Sequence, residues 1–388
     1  MTIDSSVQTP LPLTVIGVYN ACEAYPNTLY ALSGLRCDFD VKEINVQLLP
    51  QEGGAIRAPG GALSKIWKIV SAHIRVIARA FVMRPRPVRV FVPYPAPILL
   101  YIWSFVPDGF RPRRIVADAF ISLYDTVVND RGLLRATDWR AKLLWHIERR
   151  AYTFADAVVV DTPQNADFYA SLFRLPRELF VPIPLATNER DFALARPFNS
   201  GDISEVLFIG TLIPLHGINV IVEAARHLEG RETIRFTIIG TGQQASVVES
   251  ALKSGATNIS WERDWKTPAE LAAYIAKADI CLGIFDSGLK AQRVCPYKIY
   301  AYASMGKAIV TGQTTWLERV AQDFGEMPFV GVPVADASAL AAEIVRLVDN
   351  KALRHEMADR ARRFYDGMLS NRITAARLRA SILGNASL

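Results

Sequence analysis

"ADICLGIFDSGLKAQRVCPYKIYAYASMGKAIVTG", Ala278 to Gly312, holds in order a short apolar run, a polar loop, a segment of helical period and a second apolar run ending in glycine. That is strand, loop, helix, strand, the signature of a parallel βαβ unit. Upstream, "EVLFIG" (Glu205–Gly210) and "RFTIIG" (Arg235–Gly240) are runs of the same kind, separated by the helix-period segments "INVIVEAARHL" and "PAELAAYIAKA". The first half repeats the theme less cleanly, with "LTVIGVY", "VRVFVPY", "RRIVADAF" and "DAVVVDT" as strands and Leu133 to Phe154 as a long helix. At 388 residues and 51% hydrophobic, the chain exceeds what one core usually organises. The expectation is therefore two α/β domains, each a doubly wound Rossmann-like sheet, facing each other across a cleft. The Pro, Gly, Asn and Ser content of "ALARPFNSGDIS" (Ala193–Ser204) places the linker there, giving domains at 1–192 and 205–388, with the last helix packing back on the first domain. Ligands of such sheets bind at the carboxyl ends of the strands.

The formal charge of +6 favours anionic partners. Nucleic acid is not expected, because no motif interleaves aromatic and basic residues on a sheet. Four cysteines (Cys22, Cys37, Cys281, Cys295) show neither CxxC spacing nor a His/Cys cluster, so no zinc site or disulfide framework is read. That usage fits a reducing compartment, and "MTIDSSVQTPLP" lacks a signal-peptide pattern, so the expected location is cytoplasmic. Val88–Val106 is the most apolar run, but Arg89, Pro93, Pro95 and Pro97 interrupt it and argue against a membrane span. Lys65–Met83 plots as an amphipathic helix with Ile66, Ile69, Val70, Ile74, Ile77, Ala80 and Phe81 on one face and Lys68, Arg75 and Arg79 on the other. Two readings stay open for it: a helix packed on its own sheet, with His73 in the core, or one lying on an anionic membrane surface.

Candidate chemistry begins with Lys290, Arg293 and Lys298, three cations within nine residues just ahead of a helix that Pro296 starts. A helix N-terminus flanked by cations is an anion site, and a diphosphate is its natural occupant. In "FIGTLIPLHGINVIVEAA", Gly210 ends a strand and Gly217 restarts a helix, which directs backbone amides and His216 toward the same place. Gly240 and Gly242 follow a strand, but Gln243 and Gln244 leave the dinucleotide fingerprint incomplete, so no hydride-transfer cofactor is expected. In "RRIVADAFISLYDTVVNDRG", Asp118, Ser122 and Asp125 follow a strand, where they would grip sugar hydroxyls or remove a proton. Asp38 and Asp40 form an Asp-x-Asp pair read as a solvated turn; no metal site is predicted.

Taken together, these segments resemble the retaining nucleotide-sugar glycosyltransferases of glycosyltransferase family 4, whose fold is the two-domain GT-B fold. The likeness is strongest from Glu205 to about Met368, where "FIGTLIPLHGINVIVEAA", "FTIIGTGQ", "ISWERDWKTPAELAAYIAKADICLGIF", "KAQRVCPYKIYAYASMGKAIVTG" and "LRHEMADRARRFY" occur in that family's order. "ISLYDT" and "ADAVVVDT" look like the acceptor domain of a subgroup acting on cell-surface or lipid-linked glycans. The resemblance implies a nucleoside diphosphate sugar as donor, a glycan or lipid-linked acceptor, and no cofactor or metal. It makes Lys290, Arg293 and Lys298 diphosphate ligands, sets Gly210, Thr211, His216, Gly217 and Gly240 around the donor, and puts Trp265 near its base. Asp118, Arg293 and Lys298 are then the expected catalytic residues, with Ser122 and Asp125 on the acceptor. Transfer with retention would depend on stabilising the leaving diphosphate. The family pattern has Arg and Lys where this chain has Thr211 and His216, and a pair of glutamates where it has Arg293 and Ala301. Ala301 prompts the alternative of a catalytically silent GT-B subunit that binds glycan or a partner enzyme; a nucleotide-sugar epimerase is a third reading.

Overall fold

The computed structural model describes residues 10–47, 62–193 and 201–385. The expected linker falls largely on 194–200, outside them. Contacts divide the chain into two compact units, Met1–Ala186 with Asn371–Leu388, and Thr187–Ser370. The chain thus crosses between units twice, after Ala186 and after Ser370.

The first unit contains β1 (Leu11–Gly17), α1 (Pro26–Asp38), β2 (Phe39–Asn45), α2 (Ala62–Val82), β3 (Arg89–Val92), α3 (Pro97–Trp103), β4 (Arg114–Asp118), α4 (Trp139–Phe154), β5 (Ala157–Val160), α5 (Pro163–Phe173) and β6 (Phe180–Pro182). Its strands form one parallel sheet in the order β2-β1-β3-β4-β5-β6. Successive side chains of a strand point to opposite faces. Val90 and Val92 therefore join one core with Ile115 and Ala117, while Phe91 joins the other with Val116 and Val159. Each fully buried Val, Ile or Phe contributes roughly 1.5–3 kcal/mol.

The second unit contains β7 (Ser204–Ile209), α6 (Ile218–His227), β8 (Ile234–Ile239), α7 (Ala245–Lys253), β9 (Ile259–Glu262), α8 (Pro268–Lys277), β10 (Ile280–Leu282), α9 (Tyr297–Ser304), β11 (Ala308–Gly312), α10 (Thr315–Phe324), β12 (Val330–Val332), α11 (Ala337–Asp349) and α12 (Lys351–Phe364). The order β12-β11-β10-β7-β8-β9 is again all parallel. The chain winds outward from β7 to one edge, then returns to place β10 on its other side. The carboxyl ends of β7 and β10 therefore splay, and a crevice opens between them. Beyond Ser370, α13 (Asn371–Leu383) belongs to the first unit, where Leu378 and Ile382 are buried beside Phe91 and Arg114 donates to the Ser381 carbonyl at 2.8 and 3.0 Å.

The faces of α2 differ from the helical-wheel reading. Ala72, His73, Val76, Ile77 and Ala80 are buried, whereas Ile74, assigned to the apolar face, is 51% exposed beside Trp67, Lys68, Arg75, Arg79 and Val82. His73 is a core residue, its Nδ1 2.7 Å from the Ile69 carbonyl oxygen. The side chains of Lys65 and Ile66 lie outside the described residues. Asp38 and Asp40 are both exposed at the junction of α1 and β2. Among the described residues no helix is long and apolar enough to cross a membrane.

Glycine sets how closely the loops of the second unit approach. A Cβ on Gly240, whose φ is +119°, would stand 2.3 Å from the Gly210 carbonyl oxygen. Gly240→Ala should destabilise the protein by at least about 2 kcal/mol through strain and steric overlap. Urea denaturation measures it; an unchanged midpoint would mean that the two loops are free to separate.

Candidate functional site

The loops after β7 and β10 build a cavity of about 240 Å³ at the splayed strand ends, entirely within the second unit. Gly210, Thr211 and His216 come from the first loop, and Pro296, Tyr297, Lys298, Ala301 and Tyr302 from the start of α9. Phe192, Ile209, Leu271 and Ile275 complete an apolar wall. Among the described residues no carboxylate lines it.

Lys298 lies on the first turn of α9, just past Pro296, and is only 8% exposed. Its Nζ stands 3.9 Å from the centre of the Phe208 ring and has no hydrogen-bond partner among the described residues. A Cβ at Gly210 would lie 3.0 Å from that amine and 2.9 Å from His216 Cε1, so only glycine lets both side chains reach the strand end. Burial pushes the Lys298 pKa well below the ordinary lysine value. His216 is buried too, and its pKa is driven down to about 2, first by burial and then by the neighbouring Lys298, against a hydrogen bond to the Thr211 backbone. Burial therefore favours a neutral imidazole beside an amine that holds its proton weakly. An anion entering here would restore the ammonium, so binding would draw in a proton.

Several expectations meet different surroundings. The Gly210 N–H donates to the Ile239 carbonyl at 3.0 Å and the Gly217 N–H to Pro214 at 2.9 Å, so these amides are spent on the fold and not offered to a phosphate. Gly217 has φ +64°, and a Cβ there would meet the Phe285 carbonyl carbon at 2.8 Å; its role is to bring the β7 loop onto the end of β10. Gly240 likewise supports Gly210 from behind and does not line the cavity. Of the three clustered cations only Lys298 lines it. Arg293 is buried and Lys290 half-buried in the preceding loop, whose Gln292 accepts from Thr315 and Trp316 and so ties it to α10. Trp265 is 72% exposed and outside the cavity. Tyr302, which receives the Ile209 N–H at 2.9 Å, was not singled out by sequence, and neither was the wall of Leu271 and Ile275. Their only signal was apolar spacing, which marks a core equally well.

In the first unit, Asp118 ends β4 and is 4% exposed. Its carboxylate accepts from the Phe120 N–H at 3.2 Å and from Asn27 at 3.4 Å. Burial, with Asp161 adding to it against the Phe120 bond, pushes its pKa up to about 7. Ser122 and Asp125 face inward. The Ser122 hydroxyl donates to Glu148 at 2.7 Å and accepts from the Asp125 N–H at 3.0 Å, and Asp125 accepts from Asn129 at 3.0 Å. Glu148, from α4, also accepts from the Leu123 and Tyr124 amides and the Tyr152 hydroxyl. These bonds use Ser122 and Asp125 to fold the π-helical turn Asp125–Asp130, and both side chains are buried.

The buried imidazole has a consequence for stability. Between the folded value near 2 and the ordinary 6.5, the unfolded chain binds a proton at His216 that the folded one does not, so this residue's contribution is lost as pH falls below 6.5. The slope is up to about 1.4 kcal/mol per pH unit. Denaturation of wild type and His216→Gln from neutral to mildly acidic pH should show the variant losing stability less steeply; equal slopes would mean that His216 is protonated in the folded protein. Asp118 works with the opposite sign: its raised pKa gives stability at low pH that is lost as pH rises toward 7, so Asp118→Asn should remove that loss.

Residues 204–350 match the family model described as glycosyl transferases group 1, a stretch that contains every cavity residue except Phe192. No curated protein matches the sequence. Among solved structures, the chain is similar to sucrose-phosphate synthase from Thermosynechococcus elongatus at 15% identity, with a TM-score of 0.70 over 97% of this chain and 100% of the other. It is also similar to WaaG, a glycosyltransferase involved in lipopolysaccharide biosynthesis, at 12% identity and TM-score 0.64 over 97% and 100%. A third, Anabaena HepE in complex with UDP, aligns at 11% identity and TM-score 0.63 over 96% and 100%. At such identities the likeness is one of fold. The chain has the GT-B fold, two Rossmann-like α/β units, and its second unit carries the match to the group 1 glycosyl transferases.

Proposed function

We propose that the protein is a retaining glycosyltransferase that moves a sugar from a nucleoside diphosphate donor to a glycan or lipid-linked acceptor, without a metal. The observation that carries this reading is the buried, unpartnered amine of Lys298 in the cavity between β7 and β10, inside the segment that matches the group 1 glycosyl transferases. An amine there without an anion is a standing cost, and a diphosphate leaving group supplies the missing charge. That the Anabaena protein named above holds UDP on the same fold supports a nucleotide as the occupant. Lys298 then stabilises the leaving diphosphate, with Lys290 and Arg293 shaping the loop beside it, while Asp118, its carboxyl titrating near neutrality, orients the acceptor hydroxyl.

The second reading, a silent subunit, is favoured by one specific observation: Ala301 and the apolar wall leave the cavity without a carboxylate to hold ribose hydroxyls. The two readings separate on turnover. Lys298→Met should raise the urea midpoint, because an unpaired buried amine is replaced by an apolar chain, and at the same time weaken binding of UDP, GDP or dTDP by about 100-fold or more in calorimetry. Unchanged nucleotide binding would remove the proposed site. Binding with no transfer to any glycan acceptor would instead support the silent subunit. Proton NMR of the product's anomeric signal decides retention. Asp118→Asn should lower transfer by about 100-fold and remove a rise in rate through pH 7; a wild-type profile would end its assigned role.

The outer face of α2 is the surface we assign to an anionic membrane. Trp67, Ile74 and Val82 are exposed there among Lys68, Arg75 and Arg79, and no acid occurs between Glu52 and Asp108. Co-sedimentation with phosphatidylglycerol vesicles should fall on adding salt and on Trp67→Ser with Ile74→Ser; binding independent of both would return this face to plain solvent exposure.

A further inference from the structure

At the carboxyl end of α2 the chain turns through Arg84, Arg86 and Pro87 toward β3, and the short 3-10 turn Asp108–Phe110 lies beside it. A cavity of about 40 Å³ opens there, lined by Phe81, Arg86, Trp103, Phe110 and Arg111 among others. Its polar groups are of one kind. Trp103 is 3% exposed, and its indole N–H, which can only donate, has no acceptor. Buried donors are nearly always paired, so one left open at a cavity points to an occupant. Arg86 lays its guanidinium 4.9 Å from the centre of the Phe110 ring and makes no ion pair among the described residues. Arg111 is held by Asp156 at 2.9 Å and the Phe154 carbonyl at 3.0 Å, adding a second guanidinium to the wall.

No side chain in the lining is an acceptor. None of its residues is acidic, and Asp108 stands exposed outside it. Two carbonyls at the end of α2, which would repel an anion, are occupied by a cation: Arg84 donates to Phe81 and to Met83, just past the helix, at 2.9 Å. A water molecule could satisfy the indole but would bring no charge to the guanidinium of Arg86, which is exposed to solvent. A phosphate does both, because its oxygens accept from a guanidinium fork and from a neutral N–H together.

We propose that this cavity is a phosphate-group site, taking either the headgroup phosphate of an anionic lipid or that of a soluble phosphate ester. Val82 at 75%, Phe105 at 62% and Phe110 at 44% exposure lie in the same segments and supply an apolar surround suited to the lipid source. The site belongs to the first unit and stands whether or not the cavity of the second unit binds a nucleotide.

The test uses the full chain labelled with 15N at tryptophan, whose seven indole N–H signals are counted by NMR. Trp103→Phe assigns the signal. Sodium phosphate, and separately dihexanoyl phosphatidylglycerol below its micelle concentration, are titrated against sodium chloride at equal ionic strength. The expected result is a downfield shift of the Trp103 signal that saturates with phosphate, with the lipid, or with both, in a Lys298→Met background as well. Arg86→Gln, a change at an exposed position, should weaken the response at least about tenfold while leaving the other indole signals in place. A shift with the lipid alone assigns the headgroup, and one with phosphate alone assigns a soluble ester. A Trp103 signal unmoved by either probe, or an Arg86→Gln response equal to wild type, would overturn the proposal.

Discussion

The second unit depends on an approach of backbone to backbone at the carboxyl ends of β7, β8 and β10. Gly240 meets the Gly210 carbonyl, and Gly217 meets the end of β10, at distances that leave no room for a Cβ. Because the loops close in this way, Gly210 can lie under two side chains at once, and Lys298 and His216 reach a strand end that larger residues would cover. The topology supplies the other half. The reversal of winding between β7 and β10 keeps the crevice from being filled by a crossover helix. Replace either feature and the amine of Lys298 loses its cavity.

Electrostatically the site is held away from its lowest-energy arrangement. An amine over Phe208 without a hydrogen-bond partner, beside an imidazole with its own Nδ1 unpartnered, is unfavourable for the fold alone. In folded proteins such groups are concentrated at functional sites and at bound water. Contrast the buried Lys307, whose Nζ donates to the Ala276 and Ala278 carbonyls at 2.7 and 3.1 Å. That lysine is satisfied by the fold and ties α8 to β11. Two buried lysines nine residues apart thus differ in kind, and the difference lies in their partners. Glu148 plays the satisfied part in the first unit, gathering four donors and fixing the segment that follows β4.

Much of the architecture was legible in local pattern. The run ending in Gly312 is buried on both faces of the parallel sheet and the run ending in Gly210 is buried through its middle, which removes the usual alternation and makes them conspicuous, while the run ending in Gly240 alternates over its first four residues. The helix after Pro296 begins where proline at its threshold said it would. β2 was missed, its Asp40 having been read with Asp38 as a solvated turn: it lies at the sheet edge, where Asp40, Lys42 and Glu43 are exposed and dilute the apolar signal. β12 is three residues long, too short for any period to show.

The sequence by itself determined two doubly wound units, the glycines at the strand ends, and the helix that begins after Pro296, since all of these follow from propensity and spacing within a few residues. The tertiary structure alone decided which charges share a cavity. Lys290, Arg293 and Lys298 are neighbours in the chain, but the turn of α9 and the tether of Gln292 to α10 send only Lys298 to the splayed strands. Ser122 reads in sequence as a residue following a strand, and only the fold brings Glu148, from another helix, to its hydroxyl. Burial and long-range pairing set the proton affinity and partners of each group, and neither is encoded in adjacency along the chain.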